Sequence, residues 1–384
     1  MTTLGRLLDG TEGSIKTGPF GTTLKAAEYS PFGVPLISVG EIGEGSIVLH
    51  QKTPRVSTDV TERLSQYLLR NNDIVFARKG SIDRSARIKL NEDGYFLGSD
   101  GIRVRLPETV SAGFMAYQFL SPRVKSWLRQ QAGGTTMPSM NQGILERIQL
   151  FVPPLAEQRR IAGVLGALDD LIDTNKRLAL DCERLAQSLA SNAREQTPLS
   201  SFTTWGGLGT IKPAGLVDHY SLPAFDDGRK PERVDGSAIK SNKQKLEHPC
   251  VLVARLNPRI PRVWMVYPDQ SVTSLASTEF VRITGEGIAE EVIYAVCSAP
   301  AFLEQMNGLV TGTTGSHQRV DKDALTSVAV PDVRTLPTAN LDAITLLVRQ
   351  AQVCREELRD LANTRDELLP LLLSGAVTVS ESAA

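Results

Sequence analysis

The sequence predicts an α+β protein: two globular mixed α/β domains separated by two long helices that pack on each other as an antiparallel coiled coil, with an internal pseudo-two-fold repeat. Three observations carry this prediction. The chain has 384 residues, enough for two or three domains with cores of their own. Its two halves resemble each other at a nearly constant spacing. Each half then closes on a stretch whose apolar residues recur in heptads.

The repeat is legible in two anchors. "DIVFAR" at Asp73 to Arg78 returns as "CVLVAR" at Cys250 to Arg255, an offset of 177 residues. "GGTTMPSMNQGILERIQLFVP" from Gly133 to Pro153 returns as "TGTTGSHQRVDKDALTSVAVP" from Thr311 to Pro331, an ungapped offset of 178. Between the anchors each half carries a strand-like run, "FLGSDGIRVRL" and "SLASTEFVRI". A helix-like run follows in each, "FMAYQFLSPRVKSWLRQQ" and "EEVIYAVCSAPAFLEQM". A repeat of this length makes each half a structural unit in its own right.

The first heptad stretch starts just after Pro153 and Pro154, which end the preceding strand and suit a helical first turn. With Ile161 as heptad position a, Leu168, Asn175, Cys182 and Leu189 also fall at a, and Val164, Leu171, Leu178 and Leu185 at d. That reads as a narrow coiled-coil seam, with Asn175 a candidate for fixing its register. The second stretch places Ile344, Ala351 and Leu358 at a, and Leu347, Cys354, Leu361 and Leu368 at d. Each seam is incomplete alone and their lengths match, so the two helices are expected to cover each other. At 1.5 Å per residue, roughly 30 to 40 helical residues make a rod of about 45 to 60 Å. Such a rod spans successive major-groove faces of duplex DNA, which lie about 34 Å apart.

Composition bounds the function. Nothing approaches the roughly 18 uninterrupted apolar residues of a membrane span, and "MTTLGRLLDGTEG" lacks the apolar core of a signal peptide, so a cytoplasmic protein without membrane contact is expected. Cys182, Cys250, Cys297 and Cys354 are widely spaced with no CxxC pair, which predicts buried free thiols, no disulfide framework and no metal. The net charge of −1 conceals an uneven distribution. From Arg229 to Arg262 there are nine Lys or Arg against three Asp or Glu, whereas Leu341 to Leu372 holds four basic and six acidic residues. Basic stretches thus fall in globular segments and acidic ones on helices, a division that suits a polyanionic partner for the former.

Catalytic loops are missing. An amino-methyltransferase needs an Asn/Asp-Pro-Pro-aromatic loop, but the only Asn-Pro here, Asn257-Pro258, is followed by Arg259. No Gly-Lys pair exists for a phosphate loop. No lysine has a carboxylate two residues before it, as the common restriction nucleases require, and His50, His219, His248 and His317 show neither ligand spacing nor a nucleophilic partner. The sequence therefore predicts no enzyme and no cofactor.

At this point the motifs resemble those of a known family, the specificity subunits of type I restriction-modification systems. "VPPLAEQRRIAGVLGALDDLIDTNKRL" resembles that family's central conserved helix, and "ELLPLLLSGAVTV" its closing segment. "KTGPFGTTLKAAEY", "DIVFARKGSIDRSARI", "LGSDGIRVRL" and "AGGTTMPSMNQGIL" resemble one class of target recognition domain; "YSLPAFDDGRKPE" and "VLVARLNPRIPRVW" resemble another. One departure is "VPDVRTLPTANLDAI", which lacks the Leu-Ala-Glu-Gln start of the first helix.

The resemblance implies a non-catalytic subunit divided into recognition domains at 1–153 and 198–335, conserved helices at 154–197 and 336–373, and a tail at 374–384. It implies double-stranded DNA with a bipartite recognition sequence as the target. Two methyltransferase (modification) subunits would dock on the helices, with ATP-dependent restriction subunits joining through them. Arginine suits phosphate and guanine, and Asn or Gln suits adenine. In the first half the candidates are Arg78, Lys79, Ser81, Arg84 and Arg87, with Lys25 in the "GTTLKAAEY" phrase; in the second they are Arg255, Asn257, Arg259 and Arg262, on a loop that prolines stiffen. The second repeated loop offers Thr135, Thr136, Ser139 and Asn141, and in the other half Thr313, Thr314, His317, Gln318 and Arg319, residues that serve equally to cap the following helix. The alternative from another class is a coiled-coil scaffold whose lateral domains bind protein or carbohydrate. Steeply salt-dependent duplex binding separates the two.

Overall fold

The computed structural model describes residues 1–131, 138–206, 209–311 and 318–379. The chain forms two compact units. One comprises Met1–Ile172 with Asp360–Ala384, the other Asp173–Arg359.

In the first unit, strands β1 (Ser14–Thr17), β2 (Ile74–Ala77), β3 (Ser85–Arg87) and β4 (Gly101–Arg105) form one antiparallel sheet in the order β1-β4-β2-β3. Helices α1 (Ala112–Leu120) and α2 (Pro122–Gln131), then the short α3 (Gln142–Glu146), follow the sheet. The long helix α4 covers Leu155–Ala190. A smaller sheet of Tyr29–Ser30, Arg55–Val56, Val34–Ile37 and Phe96–Leu97 stands beside the main one. The strand residues of β2 are all buried, as its continuous apolar run requires.

The second unit repeats this plan. Strands β5 (Thr203–Trp205), β6 (Cys250–Ala254), β7 (Val263–Val266) and β8 (Phe280–Gly285) pair antiparallel in the order β5-β8-β6-β7. Helices α5 (Glu290–Cys297), α6 (Pro300–Gly308) and α7 (Lys322–Thr326) follow, and α8 runs Thr338–Ser374. The secondary sheet differs, having five strands where the first unit has four. Strand order in the main sheet is therefore the repeated element.

Local equivalence is tighter than letter matching suggested, and it differs from it at one place. Asn141 caps α3 by accepting from Ile144 N, and Asp321 caps α7 by accepting from Asp323 N and Ala324 N. Leu4 N donates to Ile148 O and Leu199 N to Val328 O, both at 3.0 Å. These pairs stand 180 residues apart at Asn141/Asp321 and Ile148/Val328, so the ungapped offset of 178 is two short there. The matched Thr-Thr pairs set the letter alignment; an interchangeable Asn or Asp helix cap sets the structural one.

The two long helices run antiparallel. Within the second unit Asn175 Nδ2 donates to Glu357 Oε2 at 3.2 Å, while Glu183, later in α4, meets Arg355, earlier in α8. Within the first unit Arg365 binds Asp169, and Ile161 and Leu165 share a core with Leu372 and Leu373. On α8 the expected seam is buried at Ile344, Ala351 and Cys354. On α4 the expected d positions are wrong: Leu171, Leu178 and Leu185 are 51%, 43% and 51% exposed. The buried face pairs position a with e instead, through Leu165, Ala179 and Ala186. The reason is that α4 must face a partner helix and a domain core at once: Leu165 joins the core of the first unit, Ala186 that of the second. The stripe widens and turns toward e. All four cysteines are free and buried, as expected. Among the described residues no helix is long and apolar enough to cross a membrane.

Candidate nucleic-acid interface

In the first unit the chain leaves β2 at Ala77 and returns into β3 at Ser85. Gly80, at φ 67°, takes a left-handed conformation that favours glycine, and it lets this connection turn tightly. The turn is held on two sides. Arg78 N donates to Asp100 O at 2.8 Å, Met140 N to Arg78 O at 2.9 Å and Gly80 N to Pro138 O at 3.0 Å, while Lys79 and Ser139 form an antiparallel bridge. The Arg78 guanidinium lies over the Phe20 ring, 5.1 Å from its centre, a cation–π contact that orients it. Lys79 Nζ sits 3.1 Å from Asp100, and both side chains remain partly exposed, so the pair contributes little to stability and leaves the ammonium free to exchange partners. Arg84 is exposed on the same turn and Ser81 half-buried.

Thus Arg78, Lys79, Ser81, Arg84 and Ser139 gather on one rim. Lys25 is exposed on the loop that carries Phe20. Two expected members do not join. Arg87 pairs in β3 with Ile74, at the opposite end of the hairpin, and donates to Asn72 Oδ1 at 3.2 Å. Asn141 holds Ile144 N at 2.9 Å, so its oxygen serves the helix cap. Thr135 and Thr136 lie outside the described residues. Glycine explains why the "GPFG" and "LGSDG" phrases occur together: a Cβ on Gly18 would stand 1.8 Å from Gly98 O, so neither backbone can approach unless that residue is bare.

The second unit builds the same rim by the same backbone contacts. Arg255 N donates to Glu279 O at 3.0 Å, Val320 N to Arg255 O at 3.1 Å and Asn257 N to Gln318 O at 2.9 Å, and Leu256 bridges Arg319. Asn257 turns the chain at φ 49°, a conformation Asn tolerates better than most side chains. Arg259 is exposed and Arg255 half-buried. Arg319 is held by Glu279 at 2.6 Å. Arg262, expected on this rim, is instead buried and makes a two-pronged ion pair with Asp226, both bonds 2.7 Å. Its guanidinium closes the loop onto the helix of Leu222–Asp226 and is not presented to solvent. Thr313, Thr314 and His317 lie outside the described residues.

Sequence reasoning missed the acidic residue at the start of the fourth strand in each sheet. Asp100 and Glu279 each receive the backbone N–H of the rim arginine and hold one rim cation. The signal was present, since both lie within the strand-like runs already aligned, just before their β-strands begin.

Residues 19–182 match the model of the type I restriction modification DNA specificity domain. That segment is similar to this family's domain. The matched segment contains the whole first rim and the first part of α4. Among curated proteins, the specificity subunit of type I restriction enzyme MjaVIII from Methanocaldococcus jannaschii is 34% identical over 119 residues, 29% of this chain and 26% of that protein. The MjaIX specificity subunit of the same organism is 30% identical over 95 residues, 24% of this chain and 22% of that protein. The alignments span about a quarter of these relatives' lengths. The crystal structure of a type I restriction-modification S subunit from M. genitalium superposes with a TM-score of 0.61 at 14% identity, over 97% of this chain and 99% of that one. At that identity the likeness is one of fold, and it extends over the matched segment and the second unit alike.

Proposed function

We propose that this chain is the DNA sequence-recognition subunit of a cytoplasmic type I restriction-modification complex, catalysing nothing itself. It binds a bipartite duplex target through recognition segments 1–153 and 198–335. Its helices dock two methyltransferase subunits, and restriction subunits join through these. The observation that carries the reading is the rim built twice by one backbone pattern, with exposed Arg84 on the first copy and exposed Arg259 on the second. Two similar basic rims on one chain suit two sub-sites of one polyanion. Arg78, Lys79, Ser81, Arg84 and Lys25 are the contacts proposed for one sub-site, and Arg255, Asn257, Arg259, Gln318 and Arg319 for the other. The exposed Leu178 and Leu185, one heptad apart on α4, supply the apolar surface for a docking subunit.

The deciding measurement is duplex affinity of the full-length chain against salt concentration. Phosphate contacts release counterions and give a steep log–log dependence. A flat dependence would favour the protein- or carbohydrate-binding scaffold. Modification-sensitive sequencing of the host genome would then read out the bipartite motif.

A further inference from the structure

Beside the second rim lies a cleft lined by Arg255, Arg282, Lys322, Thr210, Gln244 and Thr278, over a floor of Phe280 and Val281. Three of these side chains are cationic, and among the described residues no carboxylate lines the cleft. Two of the cations are pre-positioned. Arg282 Nη1 donates to Gly206 O at 3.1 Å and Arg255 reaches Thr278 O at 3.5 Å, while the buried Nε atom of each has no partner. Among the described residues the Lys322 ammonium has no carboxylate partner, and the neighbouring Asp321 carboxylate is turned to the α7 cap. Three convergent donors in a concave site, with no carboxylate among the described residues that line it, are the arrangement that a phosphate oxyanion fits.

The first unit sharpens the point by contrast. Arg78 and Arg103 occupy the places of Arg255 and Arg282, and Arg103 Nε is likewise buried without a partner. The place of Lys322, first residue of its short helix, is taken by Gln142, whose Nε2 donates to Thr17 Oγ1 at 3.0 Å. That position is therefore closed on the protein in one unit and left open in the other.

We infer that the Arg255–Arg282–Lys322 cleft is a phosphate-binding site that seats one backbone phosphate of duplex DNA and anchors the second recognition domain independently of sequence. This rests on the DNA-recognition reading above. The test uses the full-length chain with Lys322→Gln and Lys322→Arg, on a cognate and an unrelated duplex across a salt series. Loss of one phosphate contact should lower the magnitude of the log affinity–log salt slope by about one, equally on both duplexes. Lys322→Arg should restore it, and unchanged thermal melting would confirm that Lys322→Gln folds. A wild-type chain with a steep slope that Lys322→Gln leaves unaltered overturns the cleft and spares the DNA reading; a wild-type chain with no salt-dependent duplex binding removes both. Inorganic phosphate provides the other arm. If it raises the melting temperature of the wild type and not of Lys322→Gln, while the duplex slope is unchanged, the cleft takes free anion and the proposal fails.

Discussion

The Tyr117 hydroxyl donates to the Asp169 carboxylate at 2.5 Å, joining the domain helix α1 to the long helix α4. Arg365 of α8 completes the group by binding Asp169 at 3.0 Å. The second unit has the same three parts: Tyr294 of α5 donates to Glu183 of α4, which also binds Arg355 of α8 at 2.5 Å. In the repeat, α4 following the first domain corresponds to α8 following the second. The carboxylate thus lies on the helix adjoining its own domain in the first unit, and on the other helix in the second. The charges have exchanged helices while the tyrosine stayed. Burial, together with donation to Asp169, pushes the Tyr117 hydroxyl far above its ordinary range, and burial pushes Tyr294 up to about 12, so both remain protonated donors at neutral pH.

Breaking the second cluster should destabilise its unit. Glu183 is buried and also binds Arg229 at 3.2 Å, so Glu183→Ala leaves two guanidinium groups unpaired. A loss of about 3–5 kcal/mol is expected for removing one partner of a buried ion pair. Tyr294→Phe, which removes a hydrogen bond to the Glu183 carboxylate and one accepted from Arg229, should cost about 1.5–3 kcal/mol. Urea denaturation of the two variants checks the order.

The same cluster predicts an acid-sensitive contribution. Burial acts to raise the Glu183 carboxyl, but Arg355 and Arg229 outweigh it and hold the group below its usual 4.5. A lowered folded-state pKa means that ionised Glu183 stabilises the fold above pH 4.5, and that this contribution is lost as pH falls through the lowered value. Melting temperature measured downward from pH 6 should fall more steeply for the wild type than for Glu183→Gln below about pH 4.5. Parallel curves would show that Glu183 does not carry this acid sensitivity.

The exposed leucines of α4 should matter for assembly and not for folding. Leu178→Asp changes a side chain that is 43% exposed, so its melting temperature should shift little, within about 0.5 kcal/mol of wild-type stability. Co-purification with the methyltransferase subunit should be lost. Retained co-purification would place the docking surface elsewhere.

The repeated rims predict modular recognition. Replacing the segment from Leu199 to Pro331 by the matching segment of a type I specificity subunit should, on the proposed function, change one half of the methylated motif and leave the other half intact. The segment begins directly after Gln196–Pro198 and ends with its paired strand Ala329–Pro331, so the exchange enters and leaves at one place in the fold. Alteration of both halves, or of neither, contradicts separate reading.

How much of this was legible beforehand follows from the range of each interaction. The sequence by itself determined what local chemistry encodes: the repeat, the strand-like run "DIVFAR", the prolines before α4, and the lack of catalytic loops. Apolar periodicity and backbone preference act over a few residues, so they survive without a partner. Gln158, in the Leu-Ala-Glu-Gln start of α4, shows where this ended. It is buried, accepting from Ser111 N at 2.9 Å and donating to Pro153 O at 2.7 Å, so it fastens α1 to the start of α4. Only the tertiary structure decided that role, the turn of the α4 face from d toward e, and the commitment of Arg262 to Asp226. Each depends on a group brought near by the fold: a core against one side of a helix, or a carboxylate 36 residues away. A basic residue reads the same in sequence whether its charge meets solvent or a buried acid, and the neighbour that settles the matter is a property of the packed chain.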